Sequence, residues 1–119
     1  ALAWSGSVYG LSYVWGANAV FVRLAFDGTP LSNRAHIATA PVQTDIAWTG
    51  TEWVESWADT DVEFGRYDSL GYPQGTPAVV TSVTADAVQP MQAWSGTEFG
   101  LVWGEYRSYP FFNIIRYCD

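Results

Sequence analysis

The chain has 119 residues, 49% of them hydrophobic and 17% aromatic, enough for one small core and too apolar for a disordered segment. Its formal net charge of −7, with 12 Asp and Glu against 5 basic residues that are all Arg, disfavours nucleic acid and anionic membrane as partners. The single cysteine, Cys118, excludes an internal disulfide, and no apolar run is long enough to insert in a membrane as a helix.

The predicted elements, in order, are short strands. Ala1 to Trp4 and Ser7 to Trp15 pair across Ser5-Gly6, read as a two-residue turn in which Gly supplies a positive φ. Ala19 to Phe26 follows the turn Gly16-Ala17-Asn18. Asp27-Gly28 and Thr29-Pro30 then lead to a polar fourth strand, Arg34 to Thr39, with the character of an outer edge. The second unit repeats this grammar: Asp45 to Trp48, Thr51 to Ala58, Val62 to Tyr67 and Ala78 to Thr84, with turns at Thr49-Gly50, Asp59-Thr60-Asp61 and Ser69 to Gly75. The third reads Met91 to Trp94, Thr97 to Trp103 and Phe111 to Tyr117, with a longer loop from Gly104 to Pro110. No stretch keeps a 3.6-residue period, so little or no helix is expected.

The units are copies. Ala3-Trp4-Ser5-Gly6-Ser7-Val8-Tyr9, Ala47-Trp48-Thr49-Gly50-Thr51-Glu52-Trp53 and Ala93-Trp94-Ser95-Gly96-Thr97-Glu98-Phe99 place their first tryptophans 44 and then 46 residues apart. Each first Trp is followed at five residues by Tyr9, Trp53 or Phe99, and at nine by Tyr13, Trp57 or Trp103. Each third strand carries an arginine: Arg23, Arg66 and Arg116. The chain therefore reads as one domain, 1–119, with units 1–44, 45–90 and 91–119, the last about two-thirds complete.

Four short antiparallel strands in some 45 residues make one blade of a β-propeller. The Ala-Trp-Ser/Thr-Gly-Thr-Glu-aromatic signature, with a following strand that ends in Arg, resembles the β-propeller repeats of bacterial secreted and cell-surface proteins. The resemblance covers the whole chain. The Trp-Asp pair of WD40 blades and the paired glycines of kelch blades are absent, so no activity comes with it. It implies an all-β partial propeller of about two and two-thirds blades, at an extracellular or cell-surface location. A β-trefoil, also three four-stranded units, is the alternative; the missing last strand stands against it. Propellers close with about four to eight blades, so a companion chain or further copies of this one are expected to complete the ring.

The recurrent tryptophans are expected to pack between blades rather than to stack on sugars. The recurrent arginines are expected to pair with a carboxylate or a carbonyl between blades, Glu52 and Glu98 being plausible partners. Asp59-Thr60-Asp61 is the oxygen-rich turn that would suit calcium; its spacing is short, a solvated turn is the expectation, and no cofactor is called for. His36 is the sole histidine, which argues against zinc and against a nucleophilic triad. The acidic pairs Glu52 with Glu55, and Glu105 with Asp59, are undecided without distances. No residue is singled out as catalytic.

Ligand contacts are sought where the units differ, since loops on a rigid scaffold carry function more often than strands. That selects Glu105, Tyr106, Arg107 and Tyr109 in the third unit's long loop, and Trp15, which breaks the aromatic spacing. The expected function is a non-catalytic module recognising protein or glycan. A piece of a propeller enzyme with its catalytic residues on other blades, or a purely structural assembly domain, are the alternatives.

Overall fold

The computed structural model describes residues 1–31, 34–38, 41, 43–59, 61–81, 87–105 and 111–118. Among them are three antiparallel sheets and no helix. The first sheet holds β1 (Leu2–Trp4), β2 (Tyr9–Trp15), β3 (Asn18–Leu24) and β4 (Ala35–Ala38) in that spatial order. The second holds β5 (Gln43–Trp48), β6 (Trp53–Ala58), β7 (Val62–Tyr67) and β8 (Ala78–Thr81), again in chain order. The third holds β9 (Ala87–Trp94), β10 (Glu98–Glu105) and β11 (Phe111–Cys118). Each sheet comes from one unit. A trefoil closes its barrel by pairing strands of different units; among the described residues no such pairing occurs, and the trefoil alternative has no support.

The repeated turn is larger than its two central residues suggest. Trp4 lies opposite Tyr9, Trp48 opposite Trp53 and Trp94 opposite Phe99, so four residues connect the strands. In each copy the Ser or Thr after the tryptophan closes the loop twice. Its backbone N–H donates to the carbonyl three residues on (2.9, 2.9 and 3.0 Å), and its hydroxyl accepts from the N–H of that same residue (3.1 Å in all three). A short hydroxyl competing for local backbone donors is the usual role of Ser and Thr in turns. The glycine follows at φ of 100, 98 and 107°, a region costly for any residue with a Cβ. The motif is thus the recipe for this loop, and the aromatic pairs that flank it, with centroids 4.7 to 5.0 Å apart, fasten its base.

The tryptophans pack between sheets as expected for two of the three copies, and the flanking pairs give them a second role. Trp48 and Trp94 are half-buried at the rim of inter-sheet clusters, and Trp4 is 48% exposed. The aromatic five residues later reaches the interior instead: Trp53 and Phe99 are buried. A residue beside a hairpin loop sits at the end of its strand, where the neighbouring sheet covers it incompletely.

The sheets pack in a repeated relation. β5 lies against β1 and β2, and β9 lies against β5 and β6. Strand alternation sorts the second sheet into two faces. Trp53, Glu55 and Tyr67 turn to the first sheet, where Phe21 stacks on Tyr67 with centroids 4.5 Å apart. Val54, Ala58, Val62 and Phe64 turn to the third, where Phe99, Leu101 and Trp103 meet them. Gly10 makes room for this contact: a Cβ there would stand 2.5 Å from Trp53 Cζ3.

Candidate functional site

The repeat supplies an internal standard against which each unit's departures can be read. In the second unit, Arg66 on β7 holds Glu52 through two parallel bonds, Nε to Oε1 at 2.8 Å and Nη2 to Oε2 at 2.9 Å. This is the fork geometry that makes Arg–carboxylate pairs specific. Glu52 is thus the partner expected of a recurrent arginine, held within one unit rather than between two.

In the first unit the same pairing has no counterpart. Val8 stands where Glu52 and Glu98 stand in the other units, and it packs into the apolar cluster around Phe21 and Trp53. Arg23, the equivalent of Arg66, donates from Nη1 to the Leu70 carbonyl at 3.1 Å. Its Nε is shut off from solvent and has no hydrogen-bond partner among the described residues. A buried donor without an acceptor is uncommon in a folded protein and calls for an explanation.

Arg23 lines a cleft of about 750 Å³ at the outer side of the first two sheets. The cleft runs between two equivalent turns, those after β3 and β7, and Pro30 and Pro73 bracket it. Arg34, Leu31, Leu70 and Tyr72 also line it, and among the described residues neither Asp nor Glu does. The volume is that of an ordinary ligand site. Both turns are tied by their own aspartates. Asp27 accepts from Thr29 N–H at 2.9 Å, and Asp68 accepts from the N–H groups of Leu70 and Tyr72 at 2.9 and 3.0 Å. The Thr29 backbone N–H holds the Asp27 carboxyl below the usual carboxylate range. Both acids shape the turns without lining the cleft, while Arg23 and Arg34 are the charged residues that line the cleft itself among the described residues.

A second departure lies between the same two sheets. Glu55 is wholly buried on β6, where the first and third units carry Leu11 and Leu101. Its carboxyl lies between two hydroxyls: Ser12 Oγ at 2.5 Å from Oε2, and Tyr67 Oη at 3.0 Å from Oε1. Burial pushes its pKa from about 4.5 up to about 7, and the two hydrogen bonds oppose that shift only in part. Burial, then the Glu55 charge, pushes the Tyr67 phenol up as well. Glu52 and Glu55 therefore form no acid pair: they leave opposite faces of the second sheet, Glu52 for Arg66 and Glu55 for Ser12.

Of the residues selected from loop variation, the two described ones, Trp15 and Glu105, lie at the far end of the sheets from the cleft. Trp15 ends β2 and is 59% exposed. Glu105 is the last residue of β10, while Tyr106, Arg107 and Tyr109 lie outside the described residues. At this end a groove of about 510 Å³ runs over the inner strands, lined by Tyr13, Gln43, Asp45, Gln89, Pro90 and Met91 among others. Gln89 holds φ of 54° where β9 slips register against β10 around Trp103. Trp15 does not line this groove. Asp59 Oδ1 accepts from Asp61 N–H at 2.8 Å, closing a turn on itself, and among the described residues no three His, Cys, Asp or Glu gather to hold a metal.

Sequence reasoning missed both Arg23 and Glu55 as special positions. The signal for each was a column of the repeat: Val8 against Glu52 and Glu98, and Glu55 against Leu11 and Leu101. Comparison with models of known protein families, with curated proteins and with solved structures returned no match.

Proposed function

We propose that this chain is a non-catalytic recognition module built from propeller-type blades, and that it takes its ligand in the cleft between the Pro30 and Pro73 turns. The observation that carries the reading is the broken ion pair at Arg23. The repeat discards a stabilising carboxylate at the one described arginine of the series that opens on a cleft. Recognition of protein or glycan on a cell surface or outside the cell is the setting that the blade resemblance implies. The test is an array of peptides and glycans probed with the chain and with Tyr72→Ala, whose ring is 66% exposed at the cleft. A set of hits weakened by the substitution supports the module; silence on both arrays favours a purely structural role.

Ring completion belongs to the same proposal. Ile46 and Trp48 on β5 are covered by the first sheet. The equivalent Leu2 and Trp4 on β1 are 59% and 48% exposed. A further sheet of the same kind, from a companion chain or another copy, would cover them as the first sheet covers Ile46 and Trp48. Light scattering with intact mass spectrometry should find more sheets per particle than one chain supplies, and Trp4→Asp should break the assembly. A stable, monodisperse single chain would refute ring completion.

A further inference from the structure

We propose that the cleft lined by Arg23 and Arg34 receives an acidic peptide, one glutamate side chain of which these two guanidiniums hold from the cleft side. The inference rests on the binding-module reading and names its ligand.

Three observations converge on it. The chain's own equivalent site shows which group this arginine is built to hold: a glutamate carboxylate, gripped at Nε and Nη2 within 2.9 Å. In the first unit that acceptor is replaced by Val8, and Nε is left without one. Nε itself is closed to solvent, so a ligand carboxylate meets Arg23 from the cleft side, at the guanidinium's other nitrogens. The second observation is charge. Two of the five basic residues of a chain with net charge −7 line one cleft that, among the described residues, no carboxylate lines. A local cationic pocket on an acidic protein selects for anions at that place and repels them elsewhere. The third is the apolar surround. Leu31, Leu70, Pro30 and Pro73 flank the arginines, and Tyr72 is the one aromatic in the lining. Sugar sites lean on aromatic platforms; aliphatic flanks around a carboxylate clamp suit the neighbours of a peptide glutamate. Arg34 gives a second cation for a second acid or for the peptide's C-terminal carboxylate.

The repeat also supplies the decisive variant. Val8→Glu restores the carboxylate that the other units carry, and should close the site from within. The full chain, labelled with ¹⁵N, is titrated with a capped peptide holding one glutamate between two leucines, while the arginine Nε–H resonances are followed. The Glu peptide should move the Arg23 signal, and its Gln counterpart should bind at least about tenfold more weakly. In Val8→Glu without peptide, the Arg23 signal should move toward that of Arg66, and peptide affinity should fall by about tenfold or more. If Val8→Glu does not fold, Arg23→Lys keeps the charge, removes the fork, and should weaken binding by a similar factor. Equal binding of the Gln peptide, unchanged binding by the folded variants, or no response to millimolar Glu peptide would each overturn the proposal. So would a uronic-acid tetrasaccharide or inorganic phosphate that matches the Glu peptide. Particle mass is read on the same samples: absence of peptide binding by the unsubstituted chain, with assembly as proposed, sinks this inference alone and leaves the blade reading standing.

Discussion

Glu55 makes the stability of the first two sheets' interface depend on pH in a sense opposite to that of most carboxylates. In the unfolded chain its carboxyl titrates near 4.5; in the folded chain it titrates near 7. Below 4.5 both states are protonated, and the neutral acid can donate to Ser12 while accepting from Tyr67. As pH rises from there, the unfolded chain releases a proton that the folded chain retains, so stability falls. The loss is complete once pH passes the folded value. A shift from 4.5 to about 7 at 1.36 kcal/mol per unit amounts to about 3 kcal/mol. Glu55→Gln isolates this quantity, because Gln accepts from Tyr67 and donates to Ser12 without titrating. Urea unfolding, followed by tryptophan fluorescence at intervals from pH 4.5 to 8.5, gives both curves. The difference, wild type minus Glu55→Gln, should decline by about 3 kcal/mol across that window. A flat or rising difference would mean that the carboxyl titrates normally, and that the buried hydroxyl pair does not hold it neutral.

Two further substitutions probe the packing and the ion pair. Gly10→Ala would drive a Cβ to within 2.5 Å of Trp53 Cζ3, on a ring with no exposed surface, and should cost about 1–3 kcal/mol in unfolding free energy. Gly100→Ala, at the same place in the third unit, meets nothing within 4 Å and should be neutral or mildly stabilising; equal losses at both would refute the assigned contact. Glu52→Gln breaks a pair whose arginine is 49% exposed, so it should cost less than about 1 kcal/mol, and the cost should shrink in high salt.

The sheets were legible in the sequence because their signals are local and repeated. Gly16, Gly50 and Asp59-Thr60-Asp61 bound the strands, and the spacing of Trp48 to Trp94 counts the units. The loop size was not legible. Thr49-Gly50 looks like a two-residue turn until the Thr49 hydroxyl is seen to hold the Glu52 N–H, which enlarges the loop to four. The tryptophans do pack between sheets, as Trp48 and Trp94 show, but recurrence alone did not show that they also fasten each hairpin. The cleft was hidden because it lies between units. No reading of Arg23 alone reveals that its partner is missing; that takes the alignment of Val8 with Glu52 and the folded approach of Leu70. Glu55 is invisible for the same reason, since Ser12 is 43 residues away in the chain.

The contrast between Glu55 and Leu101 also bears on how a chain of near-copies avoids mispairing its parts. Ser12 of the first sheet meets Glu55, whereas Ser56, its equivalent in the second, faces the third sheet and has no hydrogen-bond partner among the described residues. Leu101 is buried against Ala58 and Val62 on that side. The two interfaces therefore accept different guests. Were the third sheet to dock on the first, Leu101 would meet Ser12 and strand its hydroxyl. Were the second and third units exchanged in order, the buried acid would lose its Ser12 partner at a cost of about 1–3 kcal/mol. Duplication alone yields interchangeable modules; these two substitutions act as an address, written into the faces, that fixes which sheet follows which.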